Sequence, residues 1–307
     1  MQTILGSGGA IGRDLARELK QYTDQVRLVS RHPQAINADD ELHPADLSNP
    51  ANFDQAVAGS DVVYLTVGFE YNIKVWRKTW PQVVKATIEA CEKHGAKLVF
   101  FDNVYSYDIN AIPHMTEESP LNPPSKKGAV RKELLKMIFD AVQAGRIEAL
   151  VARGADFYGP KNTTSFLIET IYKPLKQGKA ATILASAKHK HTYTYTPDAA
   201  KATAILGNTP DAYNQTWHVP TDPNGLTQQQ WVELFAKELN VKPKYNVIPK
   251  FAIGLLGLFV PFMRETHEML YQWDRDYLLD SSKFEQRFNF KPTPYVEGVK
   301  ATIQADR

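Results

Sequence analysis

The run Gly6-Ser7-Gly8-Gly9-Ala10-Ile11-Gly12 stands between an apolar stretch, Thr3-Ile4-Leu5, and a segment in which Leu15, Ala16 and Leu19 recur at helical spacing. A strand therefore passes into a helix through a turn almost free of side chains. That order restricts what can follow, because a strand feeding a helix packs back onto a sheet as a right-handed parallel crossover. Further apolar runs at Val26–Val29, Asp61–Val67, Lys97–Phe101 and Ile147–Val151 alternate with helix-like segments, among them Asn52–Ala58. A third strand is expected just before Asp46. The alternation predicts an α/β fold built on a doubly wound parallel sheet.

The longest helical stripe carries Ile73, Trp76, Trp80, Val84, Ile88 and Cys91, with Pro81 expected to begin a new helix and Gly95 to end it. A second stripe, Val130, Leu134, Met137, Ile138 and Ala141, is expected to cap at Gly145. Beyond Tyr158-Gly159-Pro160 the pattern loosens into shorter elements with no composition shift to mark a linker, so the later part of the chain is expected to interweave with the earlier part. The apolar stretch Phe251–Met263 is shorter than the roughly 18 to 20 residues of a bilayer span and reads as a buried or pocket-lining helix.

The spacing Gly6-x-x-Gly9-x-x-Gly12, placed between first strand and first helix, suits a dinucleotide pyrophosphate. It allows a tight turn, close backbone approach to the anion and close packing of helix on strand, with the helix N-terminus facing the phosphates. Gly8, Ala10 and Ile11 complete the turn, and Val67 and Gly68 end the neighbouring strand. An NAD-preferring site places a carboxylate at the tip of the second strand, to accept from the ribose 2′-hydroxyl. Here Ser30 and Arg31 stand at that tip, a hydroxyl and a guanidinium that suit a 2′-phosphate, so NADP is expected over NAD. The alternative is that Arg31 is a solvated surface charge. Asp46-Leu47 is expected to border the adenine.

With these features the sequence resembles the extended short-chain dehydrogenase/reductase family, the NAD(P)-dependent epimerase/dehydratase group. Besides the glycines, the resemblance rests on Asp46-Leu47, on Leu98–Phe101 leading into Asp102-Asn103-Val104-Tyr105-Ser106-Tyr107, on Arg153-Gly154-Ala155-Asp156-Phe157-Tyr158-Gly159-Pro160, and on Tyr193-Thr194-Tyr195-Thr196-Pro197-Asp198. It implies a Rossmann dinucleotide-binding domain over 1–158 and a smaller substrate domain over 159–307, with about 185–220 returning to the sheet. It also implies hydride chemistry on a small or sugar-like carbonyl or hydroxyl compound.

Catalytic members of that family pair a Tyr with a Lys four residues later, because a phenol near pKa 10 is only about a thousandth ionised at neutral pH and a neighbouring ammonium favours the phenolate. In this sequence the Tyr position falls near Lys127, the Lys position near Arg131, and the accompanying Ser/Thr position near Asn103. Two readings stay open. In one, a displaced phenol, Tyr105 or Tyr107, does the proton transfer with Lys127 or Arg131 supplying positive charge, Tyr105 being the leading candidate. In the other, the protein binds NADP as a regulator or assembly factor without turnover. Tyr71, Trp76, Asp156, Tyr158, His191 and Tyr193 are the candidate substrate contacts.

The remaining features narrow the partners. Thirty-six Lys plus Arg against 34 Asp plus Glu leave a formal charge of +2, too balanced for a nucleic-acid binder. His189 and His191 share a strand face but lack a completing ligand set, so no metal is expected. One cysteine, Cys91, cannot bridge internally, and no leader is read before the first strand, so a cytoplasmic location is expected, and with no apolar stretch of spanning length no membrane partner is expected. Oligomeric state stays open.

Overall fold

Four strands whose residues are almost all buried form the middle of the molecule's main sheet: β1 (Gln2–Leu5), β4 (Val62–Leu65), β5 (Lys97–Asp102) and β6 (Ala149–Arg153). Such continuous apolar strands are what a parallel sheet covered on both faces requires. The computed structural model describes residues 1–163, 165–257 and 259–306. In it these strands join β2 (Val26–Ser30), β3 (Glu41–Pro44) and β10 (Thr216–His218) in a seven-stranded sheet of order β10-β6-β5-β4-β1-β2-β3, parallel throughout. The edge strand β3 is largely exposed. The order reverses between β1 and β4, and the carboxyl ends of strands beside such a reversal form the crevice where open α/β sheets bind ligands.

The helices that make the crossovers are α1 (Ala10–Leu19), α2 (Phe53–Val57), α3 (Ile73–His94) and α4 (Lys126–Gln143). The expected break at Pro81 does not occur: α3 runs unbroken through it. The carbonyl left without a partner by the missing N–H belongs to Arg77, an exposed residue, while Trp76 and Trp80 on the other face are buried and hold the helix in place. Gly95 closes α3 in the left-handed conformation (φ 67°), and Gly145 stands just past α4 with φ 68°. Cys91 lies inside this layer, and burial pushes its thiol up to about 12.

The chain divides into two compact units. The first comprises Met1–Ser106, Lys127–Arg153 and Ala199–Val219; the second comprises Tyr107–Lys126, Gly154–Asp198 and Pro220–Arg307. The second holds two small parallel pairs, β7 (Asp156–Tyr158) with β9 (Tyr193–Tyr195), and β8 (Ala181–Leu184) with β11 (Tyr245–Ile248). Its core gathers Tyr158, Tyr193, Trp231, Phe235 and Tyr295 against the helices Gln228–Leu239 and Tyr295–Gln304. Residues 251–263 do not form the expected buried helix. They fall in two short helices, Lys250–Leu256 and Pro261–His267, with Phe251, Leu255 and Phe259 exposed; Leu258 lies outside the described residues. No described helix is long and apolar enough to cross a membrane.

Candidate active site

In the first unit the glycine turn leaves β1 at Gly6, whose φ of +106° favours glycine. The amides of Gly6 and Ser7 both donate to the Val29 carbonyl (2.9 and 3.2 Å), and that of Gly9 donates to Gly6 O (3.1 Å). A Cβ on Gly6 would meet Val67 N at 2.5 Å, and one on Gly12 would meet Gly6 O at 2.7 Å, so the protein's own packing requires glycine at both. Gly8 differs, since nothing lies within 4 Å of the space its Cβ would occupy. Gly8 and Gly9 are exposed, Ala10 is half-buried, and Ile11 is turned into the core. No side chain caps α1, and no acidic residue stands in its first turn. Its opening N–H groups thus meet no competing carboxylate from that turn, as an approaching pyrophosphate requires.

At the tip of β2, Ser30 pairs in register with Pro44, and its carbonyl accepts from Ala45 N at 2.9 Å. Arg31 is exposed. Asp46 is exposed as well, and hydrogen bonds from the Ser48 amide and hydroxyl, with a smaller contribution from the Arg31 charge, hold its carboxyl below the usual range. This strand tip therefore carries a carboxylate beside its guanidinium. Leu47 is buried next to it, while Val67 is half-buried and Gly68 exposed.

All four catalytic candidates of the first unit fall in one aromatic and charged cluster, together with Tyr71 and Trp76. Lys127 and Arg131 are four residues apart on α4, as Trp76 and Trp80 are on α3, a spacing that puts each pair on one helix face. Arg131 stacks its guanidinium 4.1 Å from the Trp80 ring and 5.1 Å from that of Trp76, and Lys127 Nζ lies 4.5 Å from the Tyr71 ring. Tyr105 stacks on Trp76 (6.3 Å, 17°), and Tyr71 meets the same indole edge-on (5.9 Å, 87°). Asn103 uses its side-chain oxygen to accept from Tyr105 N (3.0 Å), fixing the turn that presents the phenol.

Beneath this layer lies Asp102, absent from the candidate residues drawn from sequence. Its Oδ1 is 3.5 Å from Arg131 Nε, and its Oδ2 accepts from Arg153 Nη2 (3.1 Å) and Nε (3.3 Å). All three side chains are buried. Removal from water lowers the Arg131 pKa, while the Asp102 and Tyr105 charges oppose the shift. Arg131 Nε and Nη1 have no hydrogen-bond partner among the described residues, and aromatic faces meet the cation instead. A carboxylate ending an otherwise apolar strand is the signal that could have found Asp102, because a buried charge needs a partner.

In the second unit His191 Nε2 lies 2.8 Å from Asp156 Oδ2, and the imidazole stacks with Tyr277 (4.1 Å, 9°) and with Trp273 (5.4 Å, 18°). Tyr158 and Tyr193 are as buried as His191, and Tyr193 meets its imidazole (4.7 Å, 37°). Both are buried in the second unit's core, with Trp231 at 5.5 and 5.2 Å, and burial pushes both phenols well up. Tyr193 Oη accepts from Gln228 Nε2 at 3.4 Å. Their rings fill the space between β7, β9 and the helix Gln228–Leu239, which gives them a packing role. Among the described residues no three His, Cys, Asp or Glu side chains group as a metal site.

A family model described as the NAD dependent epimerase/dehydratase family matches residues 3–219. Among curated proteins, the uncharacterized UDP-glucose epimerase YtcB of Bacillus subtilis (strain 168) is 25% identical over 127 residues, which are 41% of this chain and 40% of that protein. The chain thus spans well under half the length of this relative. Two solved structures align over nearly the whole molecule. The UDP-glucose 4-epimerase of Thermus thermophilus in complex with NAD has a TM-score of 0.78 at 16% identity, covering 99% of this chain and 98% of that one. A double mutant of the dTDP-glucose 4,6-dehydratase DesIV of Streptomyces venezuelae, with NAD and DAU bound, has a TM-score of 0.80 at 16% identity, covering 99% and 96%. At such identities the likeness is one of fold.

Proposed function

The chain belongs to the NAD dependent epimerase/dehydratase family, a family of enzymes, and we propose that it acts on a small or sugar-like carbonyl or hydroxyl compound with Tyr105 as its acid and base. The observation that carries this reading is the shared platform of Trp76: Tyr105 stacks on the indole, and the Arg131 guanidinium lies over the same ring system. A phenol from the end of β5 and a cation from α4 thereby take the parts that the family's Tyr and Lys play from one helix.

The first unit fits a nicotinamide dinucleotide at the glycine turn, where Gly8 and Gly9 are open and the start of α1 is uncapped. When bound, such a cofactor supplies or accepts the hydride. Tyr105 delivers its hydroxyl proton to the substrate oxygen in reduction and takes it back in oxidation. Arg131, held by Asp102, places positive charge where the phenolate forms, which favours that form. Lys127 adds a second cation on the same face of α4. Ser30 and Arg31 are proposed to bind a 2′-phosphate and so to favour NADP, although the two solved structures named above carry NAD. Asp46 beside Arg31 opposes that phosphate, which makes the preference a direct test of the assignment. Cytoplasmic location is part of the same proposal.

The test is a screen of aldehydes, ketones and nucleotide sugars for cofactor-linked turnover, followed by two variants. Tyr105→Phe should cut turnover at least about tenfold with cofactor affinity unchanged. Equal turnover removes Tyr105 from the mechanism, and tight cofactor binding with no turnover on any class moves the protein to the regulatory reading. Separately, Arg31→Asp should reverse the NADP to NAD affinity ratio, and an unchanged NADP preference sinks the ribose assignment.

A further inference from the structure

Three half-buried rings, Phe69, Tyr71 and Tyr105, stand in the segments that leave the carboxyl ends of β4 and β5. Each is backed by a buried indole. Phe69 meets Trp80 edge-on (4.9 Å, 81°), Tyr71 meets Trp76 edge-on, and Tyr105 stacks on Trp76. Tyr71 has a second backing, since Lys127 Nζ lies 4.5 Å from its centroid and Lys127 is fully buried, so the face under the ammonium is turned into the protein. The stacked face of Tyr105 is turned inward likewise. What either phenol ring leaves exposed is the side away from these partners.

The buried cation sets the character of that outer side. An aromatic ring carries negative density on both faces, and a cation held over one face draws density toward itself, leaving the other less negative. Such a face repels a second π cloud less than an ordinary phenol does, and it favours an electron-rich one. The polar groups alongside do not suit a sugar, whose hydroxyl protons need several acceptors. Asp102 is buried against Arg131 and Arg153, and Asn103 Oδ1 is taken by Tyr105 N. The indole nitrogens of Trp76 and Trp80 are buried. Between β4 and α3 Glu70 is the one carboxylate, and it is exposed. A ligand site rich in rings with few placed polar groups suits an apolar, planar molecule.

We propose that the substrate is an aromatic aldehyde or ketone with an electron-rich ring, the ring lying on the outer face of Tyr71 and the carbonyl oxygen accepting from Tyr105 Oη. The inference rests on the reaction proposed above and narrows its substrate to the carbonyl class, in place of a sugar. Both phenols touch the one indole of Trp76, which keeps the ring platform and the proton donor within reach of a single small molecule. In reduction the carbonyl carbon takes a hydride from the reduced nicotinamide cofactor, the π pair moves onto oxygen, and Tyr105 Oη gives that oxygen its proton. The carbonyl leaves as the alcohol, the cofactor is oxidised, and the phenolate regains its proton from water.

Calorimetric titration of the full chain tests the ring site, with oxidised NADP present so that the aldehydes bind without being reduced. 4-Methoxybenzaldehyde should bind at least about fivefold tighter than cyclohexanecarbaldehyde and about threefold tighter than 4-nitrobenzaldehyde. Tyr71→Leu should abolish the preference for the methoxy ring over cyclohexane, and Tyr71→Phe, which keeps the ring, should retain it. Unchanged circular dichroism verifies the fold of both variants. The proposal is overturned if 4-methoxybenzaldehyde does not bind, if either other aldehyde binds as tightly, if the preference survives Tyr71→Leu, or if Tyr71→Phe loses it. Turnover of UDP-glucose without turnover of 4-methoxybenzaldehyde overturns it too, and leaves the hydride chemistry of the proposed function standing. The ring preference, lost in Tyr71→Leu, with no cofactor-linked turnover of any class upholds the aromatic site and removes the reaction instead.

Discussion

Gly8 and Gly12 are separated by four positions and by opposite physical demands. At Gly12 an added methyl meets Gly6 O at 2.7 Å and Ser7 Cα at 2.8 Å, backbone atoms that can retreat only by moving α1 from β1. Gly12→Ala should therefore lower stability to urea by about 1–3 kcal/mol, the usual range for overpacking. At Gly8 the added methyl meets nothing within 4 Å, so Gly8→Ala should leave stability within about 0.5 kcal/mol. It should nevertheless weaken NADPH binding at least about fivefold, because the close backbone approach of the pyrophosphate is what the empty space serves. Wild-type affinity in a fluorescence titration of Gly8→Ala would place the phosphates elsewhere. The spacing of the glycines was legible in sequence, whereas this division of labour needed the contacts. Tyr158 and Tyr193 teach the same lesson: residue type announced a polar tip, but only the packing around Trp231 fixed that tip inside the core.

Elements were legible where one pattern allowed one structure. Strands buried on both faces between amphipathic helices can hardly form anything but a parallel sheet, whereas the order of its seven strands was not written in that pattern. The sixth strand was expected at Ile147–Val151 and lies at Ala149–Arg153, a shift that carries Arg153 into the sheet opposite Asp102 in register. That shift hid the charge cluster, because Asp102 and Arg153 each read as the first residue of a motif that follows a strand. The helix pair α3 and α4 was more informative than its breaks. Period 3.6 placed Trp76 with Trp80, the spacing of the family's Tyr and Lys positions pointed to Lys127 and Arg131, and the structure interleaves the two faces as rings and cations. Pro81 misled because a proline breaks a helix only when the lost hydrogen bond is not outweighed, and two buried indoles outweigh it here. The stretch from Phe251 was illegible for a different reason: an apolar run reports that burial is favourable, not that a surface to bury against exists.

Over the whole molecule the chain passes between the two units five times, through junctions at 106/107, 126/127, 153/154, 198/199 and 219/220. The sheet of the first unit is completed late, when β10 pairs with β6 in register from Thr216↔Val151 to His218↔Arg153. Ala199–Val219 also brings most of the helix Thr196–Gly207, whose Ala199, Ala200, Ala204 and Leu206 are fully buried. A fragment of residues 1–158 holds every part of the proposed dinucleotide site and yet lacks that helix and that strand. It would expose the hydrogen-bonding edge of β6 and the apolar surface the helix covers, the conditions that favour aggregation and loss of cooperative unfolding. The fragment should therefore melt without a sharp transition by circular dichroism and bind an apolar dye that the full chain excludes. A sharp transition together with NADPH binding would show instead that the first 158 residues form an autonomous domain. In that case the return of the chain at 199–219 adds stability to a unit already folded, and the glycine turn's ligand affinity does not depend on it.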